Sequence, residues 1–251
     1  MSTNSTPLTH VSSVGDREEH SVGFDTALAG TPESCWNSLE LYPWGPAPGH
    51  LVVVAPHPDD ETLGAGGLIH SWAQRQLPLT IISVTDGEAA CPEMADLGCV
   101  RRKELRAALH SLSADSARII RLGIPDGQIR HCGAPLAEAL RSVISSDATI
   151  IAPFERDGHT DHDAAGEVAL HIARHNNIPL AAYPIWAWHQ ATPRIFSARP
   201  LVSFSLSHAA REAKRQAVQC YASQLRERPG GAIVPAHVLS YFNRPYEVFV
   251  L

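Results

Sequence analysis

The sequence predicts an α/β fold, a single Rossmann-like domain with a mostly parallel sheet flanked by helices. Short apolar runs such as 51–55 (LVVVA) and 148–153 (ATIIAP) have the length of buried strands. Between such runs lie longer stretches with apolar residues three and four positions apart, as at Leu105, Leu109 and Leu112. Strands that alternate with helices in this way are typical of parallel sheets with crossover helices.

The chain of 251 residues is 44% hydrophobic, which is enough for one full core. Residues 1–30 are rich in Ser, Thr, Gly and charge, so we expect a flexible N-terminal tail there and one domain over 31–251. The apolar runs predict strands near 51–55, 79–84, 117–122, 148–153, 180–186, 201–206 and 246–250. Helical periodicity predicts helices near 62–75, 101–112, 134–145, 162–176 and 208–225.

Composition argues against several classes of function. The net charge is −6, and the one basic cluster, 101–103, is followed by Glu104, so we expect no nucleic-acid partner. The five cysteines are odd in number and have no Cys-x-x-Cys spacing, which favours a reducing, cytoplasmic setting over a disulfide framework. No stretch approaches the roughly 20 apolar residues that cross a bilayer, so we expect no stable membrane anchor.

Two polar clusters directly follow apolar runs. The first is 56–61 (PHPDDE) and the second is 157–162 (DGHTDH). Two further polar loops, 85–88 (TDGE) and 123–127 (GIPDG), follow other predicted strands. Because the carboxyl ends of parallel strands meet at one edge of a sheet, these four loops are predicted to converge there.

The two clusters supply ligands for one divalent cation. Two neutral imidazoles and one carboxylate leave a coordination position open, as in catalytic zinc sites. His57 and His162 are the candidate imidazoles, and either Asp59 or Asp60 is the carboxylate, since spacing does not decide between them. The carboxylate that does not bind metal can accept a proton from activated water. His159 can donate a proton or a hydrogen bond to charge that develops on the substrate.

Each of these acidic residues also has a structural interpretation. Residues 59–61 suit a helix N-terminus, where the macrodipole stabilises negative charge. The imidazole two residues upstream and the second His/Asp cluster favour the metal site instead. Asp161 and Asp163 suit capping of the helix that begins near His162, and Asp161 also suits the orientation of an imidazole.

Two further patterns have both a structural and a functional interpretation. The glycines within 64–67 would need a glycine at Ile69 to match a dinucleotide fingerprint, so close packing of a helix on the sheet explains them better. Trp186, Trp188 and His189 suit either a pocket for a ring-shaped ligand or the core.

Taken together, these motifs resemble the LmbE-like or PIG-L metal-dependent N-deacetylases, which remove acetyl from N-acetylglucosamine units of small conjugates or lipids. The resemblance runs from Trp36 to Leu251 and is specific in the combination of 56–61 with 157–162. The supporting segments are 85–88, 101–104, 122–127, 183–189, 223–224 and 244–247. One departure is Thr160, where relatives commonly carry proline.

The resemblance implies that His57, Asp60 and His162 hold Zn²⁺, or another divalent ion such as Fe²⁺, and that Asp59 is the general base. It implies that His159 polarises or protonates the tetrahedral intermediate. The expected reaction is hydrolysis of the N-acetyl group of an N-acetylglucosamine-type amino sugar, in a small soluble conjugate or natural product. The predicted substrate-binding residues are Arg101 and Asp126, from the resemblance, and Trp188 and His189, from the pocket interpretation.

Three alternatives accompany this prediction. One is hydrolysis of another amide in a thiol or glycolipid conjugate. A second is an Fe(II) oxygenase, because His57, Asp59 and the distant His162 also match the triad of two histidines and one carboxylate. The helical periodicity argues against it, since such oxygenases commonly have all-β scaffolds. The third is a non-catalytic sugar-binding module, which is disfavoured because every proposed catalytic position is filled.

Overall fold

The computed structural model describes Thr31 and residues 33–227 and 231–251, so the tail predicted over 1–30 lies outside the described residues. The strands are β1 (Tyr42–Pro43), β2 (His50–Ala55), β3 (Leu79–Ser83), β4 (Arg118–Arg121), β5 (Ala148–Pro153), β6 (Leu180–Tyr183), β7 (Leu201–Ser205) and β8 (Tyr246–Val250). They form one sheet in the order β1-β7-β8-β6-β5-β2-β3-β4. Strand β8 is antiparallel to β6 and β7, and the remaining pairs are parallel.

The α-helices are α1 (Asp60–Gln74), α2 (Leu97–Ser111), α3 (Gly133–Val143), α4 (Thr160–Asn176), α5 (Ala187–Gln190), α6 (His208–Gln219), α7 (Ala222–Leu225) and α8 (Ala236–Leu239). Short 3₁₀ helices span Glu33–Ser38, Glu88–Ala90, Ile129–His131, Pro193–Phe196 and Ser240–Phe242. Within the described part of the chain, none of these helices has the length and apolar content to span a bilayer.

The predicted fold class is confirmed, and each of the predicted strands and helices has a counterpart. The strand predicted over 180–186 was too long, because β6 ends at Tyr183 and the chain turns into helix α5. The helix predicted over 208–225 is divided into α6 and α7. Strand β1 was not predicted, since two residues carry no readable periodicity.

Both faces of the sheet are buried at its central strands, and the alternation along β2 shows why. Leu51 and Val53 belong to an apolar cluster shared with α1 and α2, while Val52 and Val54 belong to a second cluster shared with α3 and α4. A strand covered on both faces is apolar at every position, which is the pattern of a parallel sheet with helices on each side.

Helix α1 packs unusually close to the sheet. A β-carbon added at Gly64 would lie 2.4 Å from the ring of Tyr183, and one added at Gly67 would lie 2.4 Å from Leu206. Close packing of α1 on the sheet is therefore confirmed for Gly64, whereas Gly67 packs on a residue just after β7 and Gly66 faces Lys214 of α6. The close approach fixes the start of α1, which carries part of the first polar cluster.

A buried ion pair supports α1 at a kink in its second turn. The N–H groups of Gly67 and Leu68 donate to the Glu247 carboxylate at 2.7 and 2.9 Å. Lys214 Nζ donates to Glu247 Oε1 at 2.7 Å and to the Leu63 carbonyl at 2.8 Å. The pair thus satisfies backbone groups near the kink.

Replacing Lys214 with Met leaves the Glu247 carboxylate buried without its cation. Breaking a buried pair in this way costs about 3–5 kcal/mol, so we expect the free energy of unfolding in urea to fall by that amount. The control, Arg215→Met on the same helix, removes an exposed pair with Glu212 and is expected to change stability little. Equal stability of Lys214→Met and the parent would contradict this account.

Candidate active site

The two polar clusters meet between β2 and β5, which are neighbouring parallel strands. His57 follows β2, Asp60 begins α1, and His162 lies in the first turn of α4 after β5. The order of strands reverses here, because β3 and β4 extend the sheet on one side of β2 while β5 and β6 extend it on the other. Such a switch point leaves a crevice at the carboxyl ends of the strands.

One carboxylate oxygen lies between the two imidazoles. Asp60 Oδ2 is 3.3 Å from His57 Nδ1 and 3.2 Å from His162 Nε2. The three potential ligand atoms lie within 4.8 Å of one another, and all three residues are buried. The carboxylate of Asp59 is directed elsewhere, with one oxygen 3.2 Å from Arg101 Nη2. The geometry therefore distinguishes two carboxylates that spacing left equivalent.

The environment of His162 fits a metal ligand. Its Nδ1 lies 2.8 Å from Asp157 Oδ2, which holds the ring hydrogen on that nitrogen. Its Nε2 is fully buried and faces Asp60 Oδ2 at 3.2 Å without a well-aligned hydrogen bond. Burial lowers the pKa of His162, but the carboxylates of Asp60 and Asp157 outweigh this effect and raise the pKa to about 9. A divalent cation can balance the same negative charges that favour a proton here.

His57 is held from its other side. Its Nε2 lies 3.1 Å from Asp126 Oδ1 and 3.3 Å from Asp161 Oδ2. Burial lowers the pKa of His57, but the carboxylates of Asp126 and Asp161 outweigh this effect and raise the pKa well above its usual value. A second triad, His57 with Asp126 and Asp161, is also compact, but Asp161 already accepts the N–H groups of Gly127 and Ile129. Asp161 thus lies where it orients an imidazole.

Asp59 has a strained backbone, with φ at 134° and ψ at −30°. A non-glycine residue in such a region costs about 1–3 kcal/mol, which the surroundings must offset. Its N–H donates to the Glu61 carboxylate at 3.2 Å, and Glu61 in turn accepts hydrogen bonds from the Thr62 and Tyr221 hydroxyls. Burial, partly offset by Arg101, raises the pKa of Asp59 to about 7.

His159 caps the N-terminus of α4, and its Nδ1 accepts the N–H of Asp161 at 3.2 Å. In the neutral ring, Nε2 therefore carries the hydrogen. Burial, together with the neighbouring histidines, lowers the pKa of His159 to about 4. The ring centroid lies 5.1 Å from that of His57 and 5.0 Å from that of His162. His159 is thus a neutral hydrogen-bond donor beside the candidate metal site.

Asp157 has contacts that the sequence did not predict. Besides contacting His162, its carboxylate accepts the N–H groups of Ile185, Trp186 and Ala187 at 2.9 to 3.0 Å. The only signal in the sequence was its place at the start of the second cluster. One buried carboxylate therefore joins a candidate ligand to the loop after β6.

The site opens into a cavity of about 510 Å³. Among the predicted substrate-binding residues, Arg101, Asp126 and His189 line this cavity, and Trp186 lines it too. Trp188 does not; it is buried in the core, with its ring 5.1 Å from that of Trp36 in a T-shaped arrangement. The rest of the lining includes Leu63, Ala89, Ala90, Thr160, Ile185, Ile233, Val234, Pro235, His237 and Val238.

Two histidines and a carboxylate around one point, in a crevice at the carboxyl edge of an α/β sheet, form the type of site that binds a catalytic metal. Residues 52–173 match the model of the PIG-L family, described as GlcNAc-PI de-N-acetylase. This segment contains both polar clusters. The resemblance to the LmbE-like or PIG-L family is therefore confirmed.

Curated relatives carry related names. The probable N-acetyl-alpha-D-glucosaminyl L-malate deacetylase 2 of Bacillus subtilis is 30% identical over 133 residues, which cover 48% of this chain and 59% of that protein. The 1D-myo-inositol 2-acetamido-2-deoxy-alpha-D-glucopyranoside deacetylase 2 of Catenulispora acidiphila is 26% identical over 160 residues, covering 52% and 53%. The chain thus spans little more than half the length of these relatives.

Solved structures share the fold. A conserved protein from Thermus thermophilus is 29% identical, with a TM-score of 0.59 over 80% of this chain and 93% of that one. The deacetylase of the A40926 pseudoaglycone has a TM-score of 0.63 at 21% identity, over 81% of this chain and 97% of that one. The second likeness concerns the fold alone.

Replacing His162 with Ala removes the candidate ligand whose Nε2 faces the Asp60 carboxylate. We expect the purified parent protein to bind one equivalent of Zn²⁺ and the variant to bind almost none, because two protein ligands do not hold the ion tightly. Elemental analysis after dialysis measures this. His175→Ala, which changes an exposed histidine on the same helix, is the control and should retain zinc. Stoichiometric zinc in His162→Ala would rule out this ligand set.

Asp157→Asn tests the group that holds His162 in place. The amide nitrogen cannot accept a hydrogen bond, so either His162 Nδ1 or a backbone N–H of the following loop loses its acceptor. Losing such a supporting contact typically costs about 10- to 100-fold in metal affinity. Zinc titration against a competing chelator should show a weakened site that is still present. Unchanged affinity would mean that Asp157 does not orient the ligand.

Proposed function

We propose that this protein is a metal-dependent amidohydrolase that removes the N-acetyl group from an N-acetylglucosamine-type amino sugar in a small conjugate or natural product. The observation that carries the proposal is the Asp60 carboxylate facing both imidazoles, with Asp59 and His159 beside it in one cavity. The relatives named above are deacetylases of amino sugars joined to malate or to myo-inositol. Their shared element is the acetamido sugar.

The proposed ligands are His57, Asp60 and His162, with Zn²⁺ as the first choice and Fe²⁺ as the alternative. Two imidazole nitrogens and one carboxylate oxygen suit zinc and leave a position open. A divalent ion bound there supplies a Lewis acid that polarises the acetamide carbonyl and promotes ionisation of water.

The remaining chemistry belongs to side chains of the cavity. Asp59 accepts a proton from the attacking water, while Arg101 holds one of its carboxylate oxygens. His159 presents its Nε2–H as a donor to the carbonyl oxygen as negative charge develops on it. Asp59, which then holds the proton taken from water, delivers it to the departing amine, while the neutral His159 keeps its Nε2–H as a hydrogen-bond donor. Acetate and the free amino sugar are the products.

The structure weighs against the other classes of function. An Fe(II) oxygenase is expected on an all-β scaffold, whereas this site lies on a parallel sheet flanked by helices. A binding module without chemistry would not need a strained Asp59 beside the metal ligands. We also propose a reducing location such as the cytoplasm, since none of the five cysteines forms a disulfide.

Asp59→Asn tests the proposed base. The amide cannot accept the proton, so kcat for amine release should fall by about 10²- to 10⁴-fold while zinc content stays at the parent level. Asp115→Asn, at an exposed position outside the cavity, is the control and should keep the parent rate.

The assay follows free amine from N-acetylated amino sugars, with chelator added and then with zinc restored. Loss of activity with chelator and its return with zinc are expected. Parent-level turnover by Asp59→Asn would show that the base is assigned wrongly.

A further inference from the structure

The cavity above the candidate metal site has an apolar wall. This wall consists of two stretches of chain, one after β6 and one just before and within α8. Its residues are Ile185, Trp186, Ile233, Val234, Pro235 and Val238. The candidate catalytic residues form the polar floor, so the cavity has one polar and one apolar part.

The apolar wall is anchored to the body of the fold. The N–H of Val234 donates to the carbonyl of Gln224 at 3.0 Å. The neighbouring Ser223 donates its N–H and its hydroxyl to the buried Glu104 carboxylate, at 2.7 and 2.6 Å. The other stretch is held by Asp157. Both stretches are thus fixed relative to the floor, as a preorganised binding surface requires.

The charges of the cavity do not suit an anionic ligand group. Asp59, Asp60 and Asp126 lie in its lining, and among its described residues Arg101 alone carries a permanent positive charge. The Arg101 guanidinium is already engaged, with the Gly87 carbonyl at 3.1 Å, the Pro58 carbonyl at 2.7 Å and the Asp59 carboxylate at 3.2 Å. It is also 3% exposed. A carboxylate or phosphate beyond the sugar would find no uncommitted guanidinium or ammonium group among these residues.

The size of the cavity leaves room beyond the sugar. Pockets of about 300–1,000 Å³ enclose drug-sized ligands, and this one is about 510 Å³. With the acetamide at the floor, the group attached to the sugar is the part that reaches the apolar wall. The half-buried indole of Trp186 offers a flat surface there.

We propose that the amino sugar carries an uncharged apolar or aromatic aglycone that packs against the apolar wall, and that anionic aglycones are disfavoured. This inference rests on the proposed deacetylation, because it takes the acetamide to the floor. It names the part of the substrate that the wall selects.

The test compares three α-glycosides of N-acetylglucosamine on the zinc-loaded full-length protein. They are the phenyl glycoside, the methyl glycoside and the 1-phosphate. We expect kcat/KM for amine release to be at least about tenfold higher for the phenyl than for the methyl glycoside, since apolar contacts of this size give about 10- to 200-fold discrimination. The 1-phosphate should be the poorest. A 1-phosphate hydrolysed as well as the phenyl glycoside, or phenyl and methyl glycosides hydrolysed equally, would overturn the inference.

Variants of the wall sharpen the comparison. Ile233→Ala removes apolar surface at a half-buried position, so the ratio of phenyl to methyl kcat/KM should fall by about tenfold. Ile119→Ala, on the edge strand β4 and outside the cavity, is the matched control and should keep the ratio. Ile233→Lys introduces a cation and should raise the activity on the 1-phosphate relative to the phenyl glycoside. An unchanged ratio in Ile233→Ala would show that the wall does not contact the aglycone.

Binding separates this inference from the proposed function. If none of the three glycosides releases amine, deacetylation of this sugar class is what fails. Calorimetric titration of the zinc-loaded protein with the phenyl glycoside and with the 1-phosphate then tests the wall alone. Tighter binding of the phenyl glycoside supports the apolar preference, and equal or tighter binding of the 1-phosphate, or binding of neither, overturns it.

Discussion

A single oxygen atom, Oδ2 of Asp60, lies within 3.3 Å of imidazole nitrogens from both polar clusters, and the rest of the site depends on this contact. It exists because β2 and β5, more than ninety residues apart in the chain, are neighbours in the sheet at its switch point. Neither cluster completes the ligand set alone. The topology of the sheet is therefore what turns two short motifs into one candidate metal centre.

Buried carboxylates hold this arrangement in place by accepting hydrogen bonds from the backbone. Asp157 holds the loop after β6, Glu61 the strained Asp59, Glu104 the turn at Ser223, and Glu247 the kinked helix α1. A buried charge is costly unless it is fully partnered, so each of these groups tolerates little displacement of its neighbours. Because any movement that breaks one of these hydrogen bonds would leave a buried charge without a partner, the carboxylates keep the site rigid.

The sequence predicted the fold class and the convergence of the clusters, because both follow from local periodicity and from the general behaviour of parallel sheets. Spacing alone left Asp59 and Asp60 equivalent, and only the family resemblance assigned Asp60 to the metal and Asp59 to the base. The backbone of Asp59 has a φ of 134°, and the carboxylates of Asp59 and Asp60 have different partners. Residue spacing in the sequence does not predict such a backbone angle. The prediction that Trp188 lines the substrate pocket was wrong. Strand β6 ends at Tyr183, and the following helix α5 places this indole in the core. The part of the apolar wall at 233–238 was not predicted, because it is a short segment held by a backbone hydrogen bond from Val234 to Gln224 and has no readable periodicity.

The Asp157 carboxylate accepts hydrogen bonds from the candidate ligand His162 and from the backbone N–H groups of Ile185 and Trp186. The proposed ion and the proposed aglycone would therefore both depend on the Asp157 carboxylate. If binding of the ion raises the affinity for the aglycone, binding of the aglycone must raise the affinity for the ion by the same factor. Removal of the metal would then weaken substrate binding, and removal of the substrate would weaken metal binding.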